Sequence, residues 1–520
     1  MAMVRNILFI MCDQLRADYL SCYGHRTLNT PHIDRLAKLG TKFTRAYVQG
    51  SVCGSSRASF YTGRYVASHG ATWNFVPLSV GEKTLGDYMR QAGLRTALVG
   101  KTHVFGDVAG IARMGLNPQQ DRGLLLAQGG FEPYFRHDGV VLSASHGVNP
   151  YNAHLAHLGY GGTNPWHDFA NSVNLPDGTV GSGWRMRNAR FAARIPCKDS
   201  ETAVTTDRAI DFIREQGDAP WCLHLSYIKP HWPYMAPSPY HQLFGEEDIL
   251  SPVRNEQERT DAHPVYRAFR NHEESLSFSK DEVRKTVVPT YMGLIKQIDD
   301  EIGRLLKELE AYGRMTDTMI VFTSDHGDFL GDHWLGEKEI LFEQAVRIPM
   351  IVVDPSANAQ RGATCDALVQ AIDLIPTFLE ALDQPDEYQI LEGESLLPII
   401  RAGKAREREA VFCELDYSFS DARRELQVHP DRARSVMVRT VDKKLIHHDG
   451  FPPQFYDLAN DPGELEDLGQ QNSARKCQIE LQDRLFEWAR SLRNRTTMSA
   501  ESVLLFSARS KTTDIAIGRW

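Results

Sequence analysis

The chain contains no Cys-x-x-Cys pair, no block of basic residues, no internal repeat and no low-complexity tract. It also has no apolar run of the length that a membrane-spanning helix needs. Each absence excludes something. The eight cysteines (Cys12, Cys22, Cys53, Cys197, Cys222, Cys365, Cys413 and Cys477) are scattered through 520 residues. A zinc cage or a disulfide framework would space them closely, so they read as reduced thiols and a cytoplasmic location is expected. Lys and Arg number 58 against 67 Asp and Glu, a net charge of -9. Nucleic acid and membrane partners are therefore not expected. The opening apolar run is followed by Asp13 and Arg16 with no small-residue cleavage site, so it reads as a first β-strand and not as a secretory leader. An anionic substrate would need a local positive pocket in a negative protein.

What is present is the composition of a globular protein, 42% hydrophobic and 24% charged. Its length predicts one large domain and a smaller one. Four short apolar runs each end in a polar cluster: NILFIMCD (6–13), TALVGKTH (96–103), CLHLSYIKPH (222–231) and MIVFTSDHG (319–327). Runs apolar on both faces suit central strands covered by helices. Between them lie helical segments at 31–39, 84–92, 202–216, 291–309 and 371–382. Alternation of this kind predicts an α/β fold with a large, mostly parallel mixed sheet flanked by helices. Ligands in such sheets bind beyond the carboxyl ends of the strands, where all four polar clusters fall.

Residues 104–200 are rich in Gly, Asn, Pro, His and Trp without a sustained period, and read as a long excursion over the site, not as core. Residues 232–282 look similar. After about residue 400 come short strands, a turn-rich stretch and a helix near 478–492. The expected division is a catalytic α/β domain at 1–400 and a C-terminal α+β subdomain at 401–520, whose partly apolar tail would pack on a second copy in a homo-oligomer.

Two carboxylates and an imidazole, Asp13 with Asp325 and His326, would suit a divalent cation. In CGSSRASFYTGR, Cys53 precedes a helix start and Arg57, and both features favour an anion. Lys101 and His103 (GKTH), His231 (KPHWPY) and Lys338 complete the set. Taken singly, each has a plainer reading as a turn cap, a buried thiol or a solvated charge. Order and spacing change the weighing.

The whole set resembles the sulfatases of the alkaline phosphatase superfamily, within them the bacterial arylsulfatase, choline sulfatase and phosphonate monoester hydrolase group. The resemblance runs over most of 6–354, through MCDQLRAD, CYGHRTLNTPHIDRLAKLGTKFTRAY, CGSSRASFYTGR, AGLRTALVGKTH, KPHWPY, FTSDHGDFLGDH and Lys338 with FEQAVRIPM, and again in FYDLANDPGELEDL. It implies an alkaline phosphatase-like fold and hydrolysis of sulfate esters, or alternatively of phosphonate monoesters and phosphodiesters. It further implies one divalent metal ion, Mn2+ or Ca2+, on Asp13, Asp325, His326 and residue 53, with Gln14 where many sulfatases carry a second aspartate. Cys53 would be oxidised to formylglycine by a formylglycine-generating enzyme or its equivalent. Arg57 and Lys101 would then orient the hydrated aldehyde, His103 would act as base, His231 and Lys338 would bind sulfate and protonate the leaving oxygen, and Asn74 would contact the substrate. One departure is Ser55, where the oxidising machinery usually meets Pro or Ala.

Overall fold

The computed structural model describes residues 4–140, 149–260, 262–385, 387, 389–404 and 408–509. Alternate residues of the first strand, β1 (Asn6–Asp13), enter two different apolar cores. Ile7, Phe9 and Met11 belong to one, Leu8, Ile10 and Cys12 to the other. That is the period of two expected of a strand covered on both faces.

The other strands of the large sheet are β2 (Thr41–Tyr47), β3 (Arg95–Gly100), β4 (Glu132–Arg136), β7 (Trp221–Pro230), β8 (Thr318–Ser324), β9 (Arg347–Val353), β10 (Ala363–Cys365) and β11 (Val369–Gln370). A small hairpin, β5 (Ser172–Asn174) and β6 (Val180–Ser182), lies apart from them. The order across the sheet is β10-β2-β9-β8-β1-β7-β3-β4, with β11 also on β2. β8, β1, β7, β3 and β4 run parallel, whereas β9 is antiparallel to both β8 and β2. The carboxyl ends of β8, β1, β7 and β3 therefore stand side by side.

The longest helix, Asp281–Ala311, begins ahead of the predicted 291–309 because Val287 and Val288 extend its apolar face through Pro289. A second, antiparallel sheet, β12 (Val411–Asp416), β13 (Arg434–Arg439), β14 (Lys443–His448) and β15 (Gln454–Asp457), is followed by the helix Arg475–Ser491. It is not packed as a separate body: Val411, Cys413 and Met437 join Val48 and Phe378 in one apolar cluster. Lys444 is buried between Glu343 and Glu464, 3.0 Å from the former.

The 104–200 segment differs from its sequence reading. It supplies β4, an edge strand, and the helix Pro150–His157, and it buries Tyr151, Leu155 and Trp166 in the core. These elements are too short, and their apolar residues too widely separated by Gly, Asn and Pro, to produce a period. In the tail, the helix Ala500–Arg509 leaves Leu504, Leu505 and Phe506 exposed. The rest of the tail, 510–520, lies outside the described residues, and no described helix is long and apolar enough to cross a membrane.

Candidate active site

Four adjacent strands deliver the polar clusters to one place. Asp13 ends β1, Asp325 and His326 follow β8, Lys101 follows β3, and His231 follows β7. Across from them the helix Cys53–Thr62 begins, with every residue buried and Cys53 in its first turn. Gly54 N donates to Asn74 Oδ1 at 2.8 Å, which fixes that end of the helix. The Cys53 sulfur lies 3.1 Å from His326 Nε2 and 3.8 Å from Asp13 Oδ1. One ligand atom each from Asp13, Cys53, Asp325 and His326 falls within 4.8 Å of the others, and all four residues are buried.

Two cations brace this group. Arg57 Nε donates to Asp325 Oδ2 at 2.7 Å, and its Nη1 donates to Lys101 O and Ser226 Oγ, both at 2.8 Å. Its Nη2 is buried without a hydrogen bond, 3.7 Å from Asp13 Oδ2, while Lys101 Nζ donates to that same oxygen. The electrostatic result is uneven. Burial alone would raise the Cys53 thiol, but Lys101, Lys338 and His326, with a hydrogen bond from His103, hold it well below its ordinary value. Burial and Cys53 push Asp13 upward, yet Lys101, His231 and Arg57 reverse this and keep it below the usual carboxylate range. Burial and the neighbouring Asp13 raise Asp325.

The group fits a divalent ion. His326 Nδ1 lies 2.8 Å from Gly327 O, so it carries the proton and leaves the Nε2 lone pair facing Cys53, Asp13 and Asp325. A ligating histidine is usually held in just this way by a backbone carbonyl. Although burial would lower His326, Asp325 and Cys53 raise it to about 9, so Nε2 holds a proton that a bound cation would replace. Carboxylate oxygens, an imidazole and residue 53 form a mixed hard and borderline donor set.

The remaining predicted residues surround this group. Lys338 Nζ stands 3.2 Å from both His231 Nε2 and Gln14 Oε1. His231 Nδ1 lies 2.7 Å from Trp232 O, which leaves Nε2 as the acceptor for Lys338. Burial lowers His231 to about 4, so the ring is neutral and the proton of this pair resides on Lys338. Gln14, at φ 66°, turns its amide nitrogen to Asp328 Oδ2 and its oxygen to Lys338. His103 has a buried Nδ1 without a hydrogen bond. Asn74 also borders a cavity that reaches Lys338.

Several supporting groups have no distinct mark in the sequence. Asp138, within the supposed excursion, accepts from Thr102 N at 2.8 Å and His103 N at 3.2 Å, and so shapes the turn after β3. Ser226 looks like any strand serine. Lys229 and Asp328 lie inside the quoted motifs but differ from surface charges only in being buried.

The sulfatase family matches residues 5–384, and the C-terminal part of N-sulphoglucosamine sulphohydrolases matches residues 331–491. The multifunctional alkaline phosphatase superfamily protein of Trinickia caryophylli is 30% identical over 89% of this chain and 91% of its own length. An arylsulfatase of Clostridium perfringens is 27% identical over 89% and 90%. Among solved structures, the phosphonate monoester hydrolase of Silicibacter pomeroyi superimposes with a TM-score of 0.81 at 26% identity, covering 96% of this chain and 98% of that one. With its parallel strand ends gathered around Asp13, Cys53, Asp325 and His326, and a match over most of its length, the chain belongs to the sulfatase family of the alkaline phosphatase-like superfamily.

Proposed function

We propose that the protein hydrolyses sulfate esters of the arylsulfatase type, with a nucleophile made from Cys53. The observation that carries this reading is the single buried group of Cys53, Asp13, Asp325 and His326 backed by Arg57 and Lys101. Asp13, Asp325, His326 and residue 53 would hold the divalent ion, with Gln14 Oε1 as a further donor shared with Lys338. An imidazole and a neutral amide among the donors favour manganese over calcium. Oxidation of the thiol to formylglycine would supply a geminal diol as nucleophile, and the ion would lower its pKa.

The chain's own residues do the rest. Arg57, tied at three points, and Lys101 fix residue 53 and offset the negative charge gathered around it. Lys338 and His231 would bind the sulfate oxygens, and this pair, whose proton resides on Lys338, would protonate the leaving oxygen. His103, whose ring reaches residue 53, would accept from it the proton whose loss releases sulfate. Phosphonate monoesters and phosphodiesters are secondary substrates on this reading. Like sulfate monoesters they are tetrahedral and singly charged, and solved relatives bear the name phosphonate monoester hydrolase.

Ser55 Oγ donates to Val52 O at 3.0 Å, within the stretch that the oxidising enzyme must read. The test is an aminooxy probe with peptide mapping at residue 53. Specific activity should rise in proportion to the aldehyde fraction, and Ser55→Ala should raise that fraction. Full activity in Cys53→Ala, or in an all-thiol preparation, would refute the mechanism.

A further inference from the structure

Two further clusters of histidine and carboxylates, away from the group at Asp13, bring their donor atoms within 4.8 Å of one another. They differ in how their negative charge is met. Around His32, Asp299 and Asp300 the chain supplies its own cation, because Lys296 Nζ stands 3.2 Å from Asp299 Oδ2 and 2.5 Å from Asp300 Oδ1. Around His272, Glu274 and Glu339 it does not. Among the described residues neither of these glutamates is paired with a lysine or an arginine.

The distances in this second cluster are those of ligands around an ion. His272 Nδ1 lies 3.8 Å from Glu274 Oε1 and 3.6 Å from Glu339 Oε2, too far to bond to either. Ligand atoms 2.0–2.2 Å from a tetrahedral ion stand about 3.3–3.6 Å apart. The imidazole is only 10% exposed, yet its Nδ1 has no hydrogen-bond partner among the described residues. Its ring packs on Phe269 at 5.0 Å, and Nε2 stands 3.4 Å from Ser420 Oγ, which itself accepts from Ala422 N at 3.1 Å. With the proton on Nε2, directed at Ser420, the Nδ1 lone pair faces the two carboxylates. A ligating imidazole is ordinarily held through its other nitrogen in this way. Three acceptors gathered without a donor between them are stable together where a cation joins them.

We propose that His272 Nδ1, Glu274 and Glu339 form a second divalent-metal site, of the zinc class, that shares no ligand with the group at Asp13. An imidazole among the donors selects zinc or a similar borderline ion over magnesium and calcium, which favour all-oxygen shells. Three protein ligands leave a fourth position for water or another donor. The site's place in the fold gives it a consequence. Glu339 directly follows Lys338, and Glu274 and Glu339 both border the cavity that reaches Lys338. An ion there fastens the helix Glu273–Phe278 to the Lys338 segment at the edge of that cavity.

Zinc alone is the probe, and no hydrolysis enters the test. Elemental analysis after dialysis against zinc should find one equivalent more in the wild type than in His272→Gln or Glu339→Gln, each with an unchanged circular dichroism spectrum. Excess magnesium should not displace that equivalent. Crystals soaked in zinc should show an anomalous-difference peak about 2.0–2.2 Å from His272 Nδ1 and from one carboxylate oxygen each of Glu274 and Glu339. The Glu339 side chain is 21% exposed, so Glu339→Gln tests the site even if His272→Gln fails to fold. Equal zinc content in the wild type and Glu339→Gln, displacement by magnesium, or an anomalous peak confined to the group at Asp13 would overturn the proposal.

Discussion

His231 is the residue whose chemistry depends most on its neighbours. Its Nδ1 donates to Trp232 O and its Nε2 accepts from Lys338, so a neutral ring is held against a charged lysine, the pair that on the proposed reading protonates the leaving oxygen. Its removal should matter in proportion to the basicity of that oxygen. His231→Ala is expected to slow sulfates of poor leaving groups about 10²- to 10⁴-fold while nitrophenyl sulfate loses far less, read as a steeper dependence of kcat/KM on leaving-group pKa. Equal losses across the series would limit His231 to holding the substrate. Asp325 is placed differently, against both Arg57 and the other donor atoms. Asp325→Ala should abolish metal retention and activity together and leave Arg57 buried without its closest partner. Elemental analysis of the purified variant checks this, and full metal occupancy would sink the assignment.

At the scale of elements, the ends of β7 and β3 are shaped by groups that touch no donor atom of the site. Lys229, the last residue but one of β7, donates to Pro233 O at 2.8 Å and to His231 O at 3.3 Å. Its charge faces Glu201 at 3.7 Å, and Glu201 is itself held by His137 at 2.7 Å and Trp166 Nε1 at 2.8 Å. This network ties the 104–200 segment to the loop that carries His231. Lys229→Met leaves Glu201 short of a cation and frees that loop. The expected result is a lowered melting temperature and the same steepened leaving-group dependence as in His231→Ala, with metal content retained. A variant that is merely less stable, with the wild-type leaving-group slope, would make the network structural only.

For the molecule as a whole, the second sheet is fastened to the first by both charge and apolar packing. Lys444 sits between Glu343 of one part and Glu464 of the other, and Val411, Cys413 and Met437 complete a core begun by the large sheet. A chain ending at residue 400 would expose that apolar surface and leave Glu343 buried without Lys444. It is expected to be insoluble, or to lack a cooperative melting transition by circular dichroism. A soluble, cooperatively folding 1–400 fragment would show instead that the expected division at residue 400 is also a division in stability.

The strands β1, β3, β7 and β8 and the residues at their ends were legible in the sequence because local rules govern them. An apolar run fixes a two-sided strand, and the polar residue after it must lie at the sheet's carboxyl edge. Helices such as Pro31–Leu39 and Glu201–Gln216 follow their periodicity in the same local way. The core of the 104–200 segment was not legible, since Tyr151, Leu155 and Trp166 are buried by distant partners and not by a repeating face. Nor could spacing reveal that Asp138 shapes the His103 turn, that Gln14 joins Asp328 to Lys338, or that two tryptophans and four glutamates share a cavity. Those contacts join residues tens to hundreds of positions apart, and only the closing of the fold around the sheet decides which charges meet, because a buried charge is stable solely where its partner arrives.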